Sequence, residues 1–276
     1  MLPRILVFLL CAASANAQAR FFNRTVTSKG VVYRYVVSVP ADWSAGRSWP
    51  IVLFLHGSNE RGDDGLVQSK VGLALAVREH PERFPAIVVM PQCRPENDWT
   101  SPAMEAQILG ALDASAQEFH GDSHRTYLTG FSMGGYGTWA LAAKYPNRFA
   151  AIVVVCGGIQ WPTPRKIEKE EPSAALAGKV AGIPVWVFHG DVDRNVFVSE
   201  SREMVKLLRG LHANVRYTEY DGVAHESWDK AYGSLSCQSG FSPKADDREG
   251  SHGGGERDHD TFEASCDCNC SRVSGS

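Results

Sequence analysis

The chain is short of long apolar runs. Of its 276 residues, the apolar stretch Ile5–Ala13 near the start counts only nine, well below the roughly 20 that a helix needs to cross a bilayer. No later stretch approaches that length, so stable membrane insertion is not expected. Charge of one sign is lacking too. Lys and Arg number 28 against 31 Asp and Glu, a net −3 without any long basic run, which argues against a nucleic-acid surface. Cysteine is sparse where a core would form. Of seven, Cys11 lies in the leading apolar run, Cys93 and Cys156 lie in the middle, and Cys237, Cys266, Cys268 and Cys270 crowd the end. A disulfide framework spreads its cysteines through the whole fold, so that class is excluded. Cys266-x-Cys268-x-Cys270 lacks a second ligand pair, so no metal site is expected there.

The two ends differ from the middle. Arg4, the run Ile5–Ala13 and the small residues Ala15 and Ala17 form the pattern of a signal peptide over residues 1–17. Cleavage after Ala17 predicts a secreted or periplasmic protein. At the other end, residues 233–276 hold Leu235, Phe241, Phe262 and Val273 as their large apolar residues, among nine Ser and seven Gly. Such a stretch builds no core and is expected to be a disordered tail. A single folded domain is therefore expected over residues 18–232, and a hydrophobic share of 43% is ordinary for one.

Within that domain, Arg20–Thr27 and Val31–Val39 read as a hairpin turning at Ser28-Lys29-Gly30. From Pro50 on, short apolar runs alternate with helix-length segments. The runs are 51–55, 86–90, 126–129, 151–155, 183–188 and 215–220; the helices are 66–78, 102–119, 133–145 and 198–211. Most runs are apolar on both faces, as strands covered on both sides must be. Strand–helix–strand alternation predicts an α/β fold with a mostly parallel sheet. In the second helix, Ala106, Leu109, Leu112 and Ala116 make an apolar stripe. Residues 157–179, with Pro162, Pro164 and Pro172 around the charged run 165–171, read as a solvated loop or an excursion over the active-site edge.

Function in such sheets gathers at the carboxyl ends of the strands. One of them carries Gly130-Phe131-Ser132-Met133-Gly134, the Gly-x-Ser-x-Gly elbow between a strand and a helix. The glycines are needed because side chains two positions either side of the serine would collide. Serine needs a base, and the base an orienting acid. Of nine histidines, His225 sits in a loop after the last strand, while His56 and His189 close buried strands and read as structural hydrogen-bonders. Asp191 and Asp193 both follow a strand; Asp193 is the expected acid, because Asp191 is placed to fold the turn. The oxyanion donors expected are the backbone N–H groups of Met133 and Ser58.

His56-Gly-Ser-Asn-Glu-Arg-Gly-Asp63, Pro91-Gln-Cys93 with Trp99, Gly130-Phe-Ser-Met-Gly-Gly-Tyr-Gly-Thr-Trp139 and His225-Glu-Ser-Trp-Asp229 together resemble one family. It is the bacterial secreted esterase and "predicted peptidase" group of the α/β-hydrolase superfamily, near polyhydroxybutyrate depolymerase-like and feruloyl esterase-like carboxylesterases. The resemblance spans about residues 20–232. It implies the α/β-hydrolase fold and a serine carboxylic-ester hydrolase without cofactor or metal, working through an acyl-enzyme. Its substrate would be a small-molecule or polysaccharide-linked ester. A serine peptidase acting on short peptides is the alternative enzyme, and an inactive hydrolase-fold binding module the alternative of another class. Relatives continue past the equivalent of Tyr232 into a final helix, which is expected to be missing here, as in a frameshifted gene end. The usual hydrolase strand order, 1-2-4-3-5-6-7-8, separates Cys93 from Cys156 by three strands, about 14 Å, so both are expected free and buried. Trp99, Trp161 and Trp228 are candidates for either cleft lining or packing.

Overall fold

A computed structural model describes residues 18–159, 173–236 and 242–243. Strands β1 (Arg20–Ser28) and β2 (Val31–Val39) form the antiparallel hairpin. They lead into β3 (Trp49–Leu55), β4 (Ile87–Pro91), β5 (Gly121–Phe131), β6 (Ala151–Val155), β7 (Val185–Gly190) and β8 (Val215–Tyr220). The eight strands order as β1-β2-β4-β3-β5-β6-β7-β8, and the pairs from β4 onward are parallel. The central strands β4, β6 and β7 are buried at every residue. The edge strand β8 is only partly covered, and its sequence Val-Arg-Tyr-Thr-Glu-Tyr alternates accordingly.

Two hydrophobic layers sandwich the sheet. One packs Leu53, Leu55, Leu128, Val154 and Val187 under helices α2 (Pro102–Phe119), α3 (Met133–Lys144), α4 (Ser173–Val180) and α5 (Val198–Gly210). The other packs Val52, Phe54, Val88, Val153 and Phe188 under α1 (Leu73–Glu79) and α6 (Trp228–Ser234).

The structure corrects four expectations. The helix expected over 66–78 is split: a 3-10 turn covers Val67–Lys70, Val71 is extended at φ −139 and ψ 157, and α1 follows. The break lets Leu73, Ala74, Ala76 and Val77 reach the core while Leu66 and Val67 stay exposed. In α2, only Leu112 of the expected stripe is fully buried. The inward face is Met104, Gln107, Ile108, Ala111, Leu112, Ser115 and Phe119. Gln107 hides that face from an apolar count; its Nε2 donates to the Gln92 carbonyl at 2.9 Å. The end of the 157–179 segment is helical, α4, with Leu176, Ala177 and Val180 buried; Pro162, Pro164, Pro172 and the charged run lie outside the described residues.

The last correction concerns the domain end. The packed segment runs through Leu235, not 232, and includes a short helix, α6, that ends at Ser234. Its short span hides it from a periodicity count, yet Ala231, Tyr232 and Leu235 are each fully buried. Tyr232 Oη shares a 3.0 Å hydrogen bond with Thr129 Oγ1, and its ring meets Phe54 edge-on at 5.8 Å. The Arg83 guanidinium donates to the carbonyls of Gly233 and Leu235, which the helix end leaves without partners. Leu235–Ser236 then pairs with Ser242–Pro243. The leading residues 1–17 and the cysteines at 237, 266, 268 and 270 lie outside the described residues.

Candidate active site

The register of the sheet assembles the site. Leu55 pairs with Gly130 across β3 and β5, so the loop after β3 lies beside the loop after β5. Gly190 pairs with Tyr220 across β7 and β8, which sets the loops carrying Asp193 and His225 side by side.

Ser132 caps α3 with φ 52 and ψ −120, a left-handed conformation that costs a non-glycine residue energy. The flanking glycines permit it. A Cβ on Gly130 would overlap the Gly134 carbonyl, and one on Gly134 would overlap the Leu55 carbonyl. The Ser132 N–H donates to the Val155 carbonyl at 3.0 Å, tying the elbow to β6. Its Oγ stands 2.8 Å from His225 Nε2, and His225 Nδ1 stands 2.7 Å from Asp193 Oδ2. A carboxylate accepts only, so the Nδ1 carries the proton and Nε2 is left to accept from Ser132.

Asp193 is buried, and burial by itself would raise its pKa. Hydrogen bonds from His189, His225 and the N–H groups of Val196 and Asn195 outweigh that and hold it well below the usual carboxylate range. Asp191 has a different place. Its N–H donates to the Tyr220 carbonyl, and its Oδ1 is buried without a hydrogen-bond partner among the described residues.

The two strand-closing histidines serve neighbours. His56 Nε2 accepts from the Cys93 N–H at 3.0 Å, so Nδ1 carries the proton and donates to the Gly57 carbonyl at 2.6 Å. Burial pushes the His56 pKa down to about 4, leaving the ring neutral. His189 Nε2 faces Asp193 Oδ2 at 3.2 Å and the Val196 carbonyl at 3.0 Å, while Nδ1 accepts from Ser201 Oγ at 2.7 Å. Its bond to the acid was not legible in the sequence, because it depends on how the loop after β7 folds back. Cys93 and Cys156 are free and buried, and burial pushes both thiols up to about 12.

Met133 opens α3, and Ser58 opens a 3-10 turn, Ser58–Glu60. The first N–H groups of a helical turn have no acceptor within it. Both residues line a cavity of about 340 Å³ that also holds Ser132 and His225. The loop bearing Ser58 is pinned from behind. Arg61 donates to the carbonyls of Ser58 and Pro95, and the Gly62 N–H to the Cys93 carbonyl.

The cavity wall adds Glu60, Phe131, Tyr136, Asn195 and Trp228. Trp228 lies tilted against Phe131, ring centroids 4.6 Å apart, and meets His225 edge-on at 5.6 Å. Trp99 is instead packing: it is buried, with Nε1 donating to the His56 carbonyl. Trp161 lies outside the described residues.

The profile of a family described as Phospholipase/Carboxylesterase matches residues 102–236. A structure described as that of a thermostable esterase superposes at a TM-score of 0.67 with 31% identity, over 77% of this chain and 60% of that one. The chain has the α/β-hydrolase fold, and a little under half of it matches the carboxylesterase profile. A ferulic acid esterase superposes at a TM-score of 0.64, over 79% of this chain and 95% of that one, but at 18% identity the likeness is one of fold. An uncharacterized secreted protein of Arthroderma benhamiae is 30% identical over 36% of this chain and 12% of its own length. The matched region thus spans less than two thirds of the thermostable esterase and of the Arthroderma protein.

Proposed function

We propose that this hydrolase is exported and cleaves carboxylic esters through an acyl-enzyme on Ser132. The observation that carries the reading is the unbroken line from Ser132 Oγ through His225 to Asp193, at 2.8 and 2.7 Å, beside two helical-turn N–H groups. Ser132 Oγ attacks the ester carbonyl as His225 Nε2 takes its proton. The carbonyl oxygen becomes an oxyanion that accepts from the N–H groups of Ser58 and Met133. Collapse breaks the bond to the alcohol oxygen, which takes the proton back from His225 and leaves. A water molecule, deprotonated by the same nitrogen, then attacks the acyl-enzyme and releases the acid and Ser132. Asp193 holds the tautomer and offsets the imidazolium charge. Its four hydrogen bonds keep it ionised throughout.

Esters rather than peptides are favoured by the family match over residues 102–236. The signal-peptide pattern of residues 1–17 supports export, and the small or polysaccharide-linked ester implied by the sequence resemblance remains the substrate class. The test is a fluorophosphonate probe together with p-nitrophenyl, feruloyl and acetyl-sugar esters and peptide anilides. Labelling at Ser132 with ester turnover supports the reading. Labelling at another serine overturns the site, and turnover of the anilides alone overturns the bond.

A further inference from the structure

Pro91-Gln92-Cys93 stands among the sequence motifs yet holds no group of the proton path. Gln92 follows β4 directly, is buried, and does not line the cavity. Its amide instead reaches the loop that runs on from the 3-10 turn Ser58–Glu60. Nε2 donates to the Glu60 carbonyl at 3.2 Å and to Asp64 Oδ1 at 3.1 Å, and Oε1 accepts from the Gly65 N–H at 2.6 Å. Both amide protons and the oxygen are thus engaged, and the loop carbonyl and N–H fix which end is nitrogen. The neighbours extend the hold. The Gly62 N–H donates to the Cys93 carbonyl, the Cys93 N–H to His56 Nε2, and Gln107 Nε2 on α2 to the Gln92 carbonyl. Gly62 leaves no space to spare, because a Cβ there would come within 2.6 Å of Gln92 Nε2.

An oxyanion donor works only if its N–H is already aimed where charge develops. The two expected donors differ in what aims them. Met133 opens a helix of 12 residues, whose own hydrogen bonds hold its direction. Ser58 opens a turn of three residues, which has few bonds of its own. We propose that Gln92 is a positioning residue for the reaction: its grip on Glu60, Asp64 and Gly65 fixes the direction of the Ser58 N–H from outside the cavity. This rests on the serine-esterase reading above. The Arg61 bond to the Ser58 carbonyl is exposed to solvent, whereas the Gln92 amide is enclosed. Water therefore competes with the first and not with the second. A misplacement of about 1 Å at a reacting centre is enough to cost roughly 10²-fold in rate.

The experiment uses the p-nitrophenyl ester that the wild type cleaves fastest, its thionoester, and a trifluoromethyl ketone of the same acyl chain. Sulfur accepts hydrogen bonds weakly, so the ester-to-thionoester ratio reads what the N–H pair contributes. Ser132 Oγ adds to the ketone carbon, the C=O becomes C–O⁻ and the proton passes to His225, so the inhibition constant reads oxyanion binding without turnover. Gln92→Leu ends one atom short of the amide nitrogen. It is expected to lower kcat by roughly 10–100-fold with KM within about threefold, to weaken the ketone in parallel, and to shrink the ratio. Gly62→Ala keeps Gln92 but pushes its amide aside, giving the same signature at smaller size. The double variant is expected to be no worse than Gln92→Leu. Wild-type rates in Gln92→Leu, additive losses, or a loss that spares both the ratio and the ketone overturns the proposal. Amide hydrogen exchange reads the brace without chemistry, and is expected to quicken over residues 57–66 and not in α3. Unchanged exchange in that loop overturns the brace, and exchange quickened throughout the domain makes Gln92 a residue of the fold alone. If the wild type cleaves no ester and binds no ketone while Gln92→Leu loosens that loop alone, the Ser132 reading fails and the brace on the Ser58 turn stands.

Discussion

Two carboxyl groups near the candidate site, Asp193 fully buried and Glu60 partly so, have inverse surroundings. Asp193 accepts from two imidazoles and two backbone N–H groups. Glu60 has one oxygen enclosed and unpaired. Burial raises both; the number of donors decides the outcome, so Asp193 falls below its ordinary range and Glu60 stays above. Burial alone therefore does not set a carboxyl's charge.

Ser132→Ala sets the scale, with an expected loss of roughly 10⁶-fold in kcat; single-turnover assays on purified protein check it, and residual turnover near wild type would remove the serine from the mechanism. Asp193→Asn is expected to cost about 10⁴-fold, because an amide no longer holds the tautomer or the imidazolium. Asp191→Asn, two residues away, is expected to stay within about threefold, and the reverse ranking would move the acid.

Smaller effects appear in urea midpoints. The His56 ring is neutral in the fold, with a pKa near 4 against an ordinary 6.5. The unfolded chain therefore binds a proton that the folded chain refuses between those values. Stability falls as pH drops through that window, by up to about 3 kcal/mol, and the fall is complete below the folded pKa. His56→Gln is expected to flatten this slope. Leu235→Ala is expected to cost about 2–4 kcal/mol as a cavity in the layer under α1 and α6. Glu60→Gln separates the two carboxyls most directly. A raised folded pKa means that ionised Glu60 costs stability at neutral pH, so the amide raises the midpoint at pH 7 and not at pH 4. A lower midpoint at pH 7 would put Glu60 with Asp193 as a satisfied carboxylate.

The sheet was legible in the sequence because its strands are continuous apolar runs that need no partner to be recognised, as at Ile51–Leu55 and Ala151–Val155. The hairpin showed through its turn. Ser132 showed because its conformation demands glycine on both sides, and Asp193 and His225 because the chain order constrains them. What escaped lies where polar groups are buried or elements are short. Gln107 and Ser115 interrupt the inward face of α2 and shift the apparent stripe by a residue. The seven residues of α6 carry too few apolar positions to register as a helix, and Leu235 counts only once Arg83 holds the carbonyls around it. The enclosed oxygen of Glu60, in a recognised motif, is visible only in three dimensions.

That hold by Arg83 has a consequence for the order of assembly. It joins positions 152 residues apart, so the closing contact of one whole face of the sheet waits for nearly the full domain. Synthesis must pass Leu235 before α6 can cover Phe54 and Phe188. Until then only α1 covers that face, and contacts of such separation form late because their loop entropy is paid before they return anything. The last packed residues of the domain act as the fold's completion step, because they are synthesised after every strand of the eight-stranded sheet.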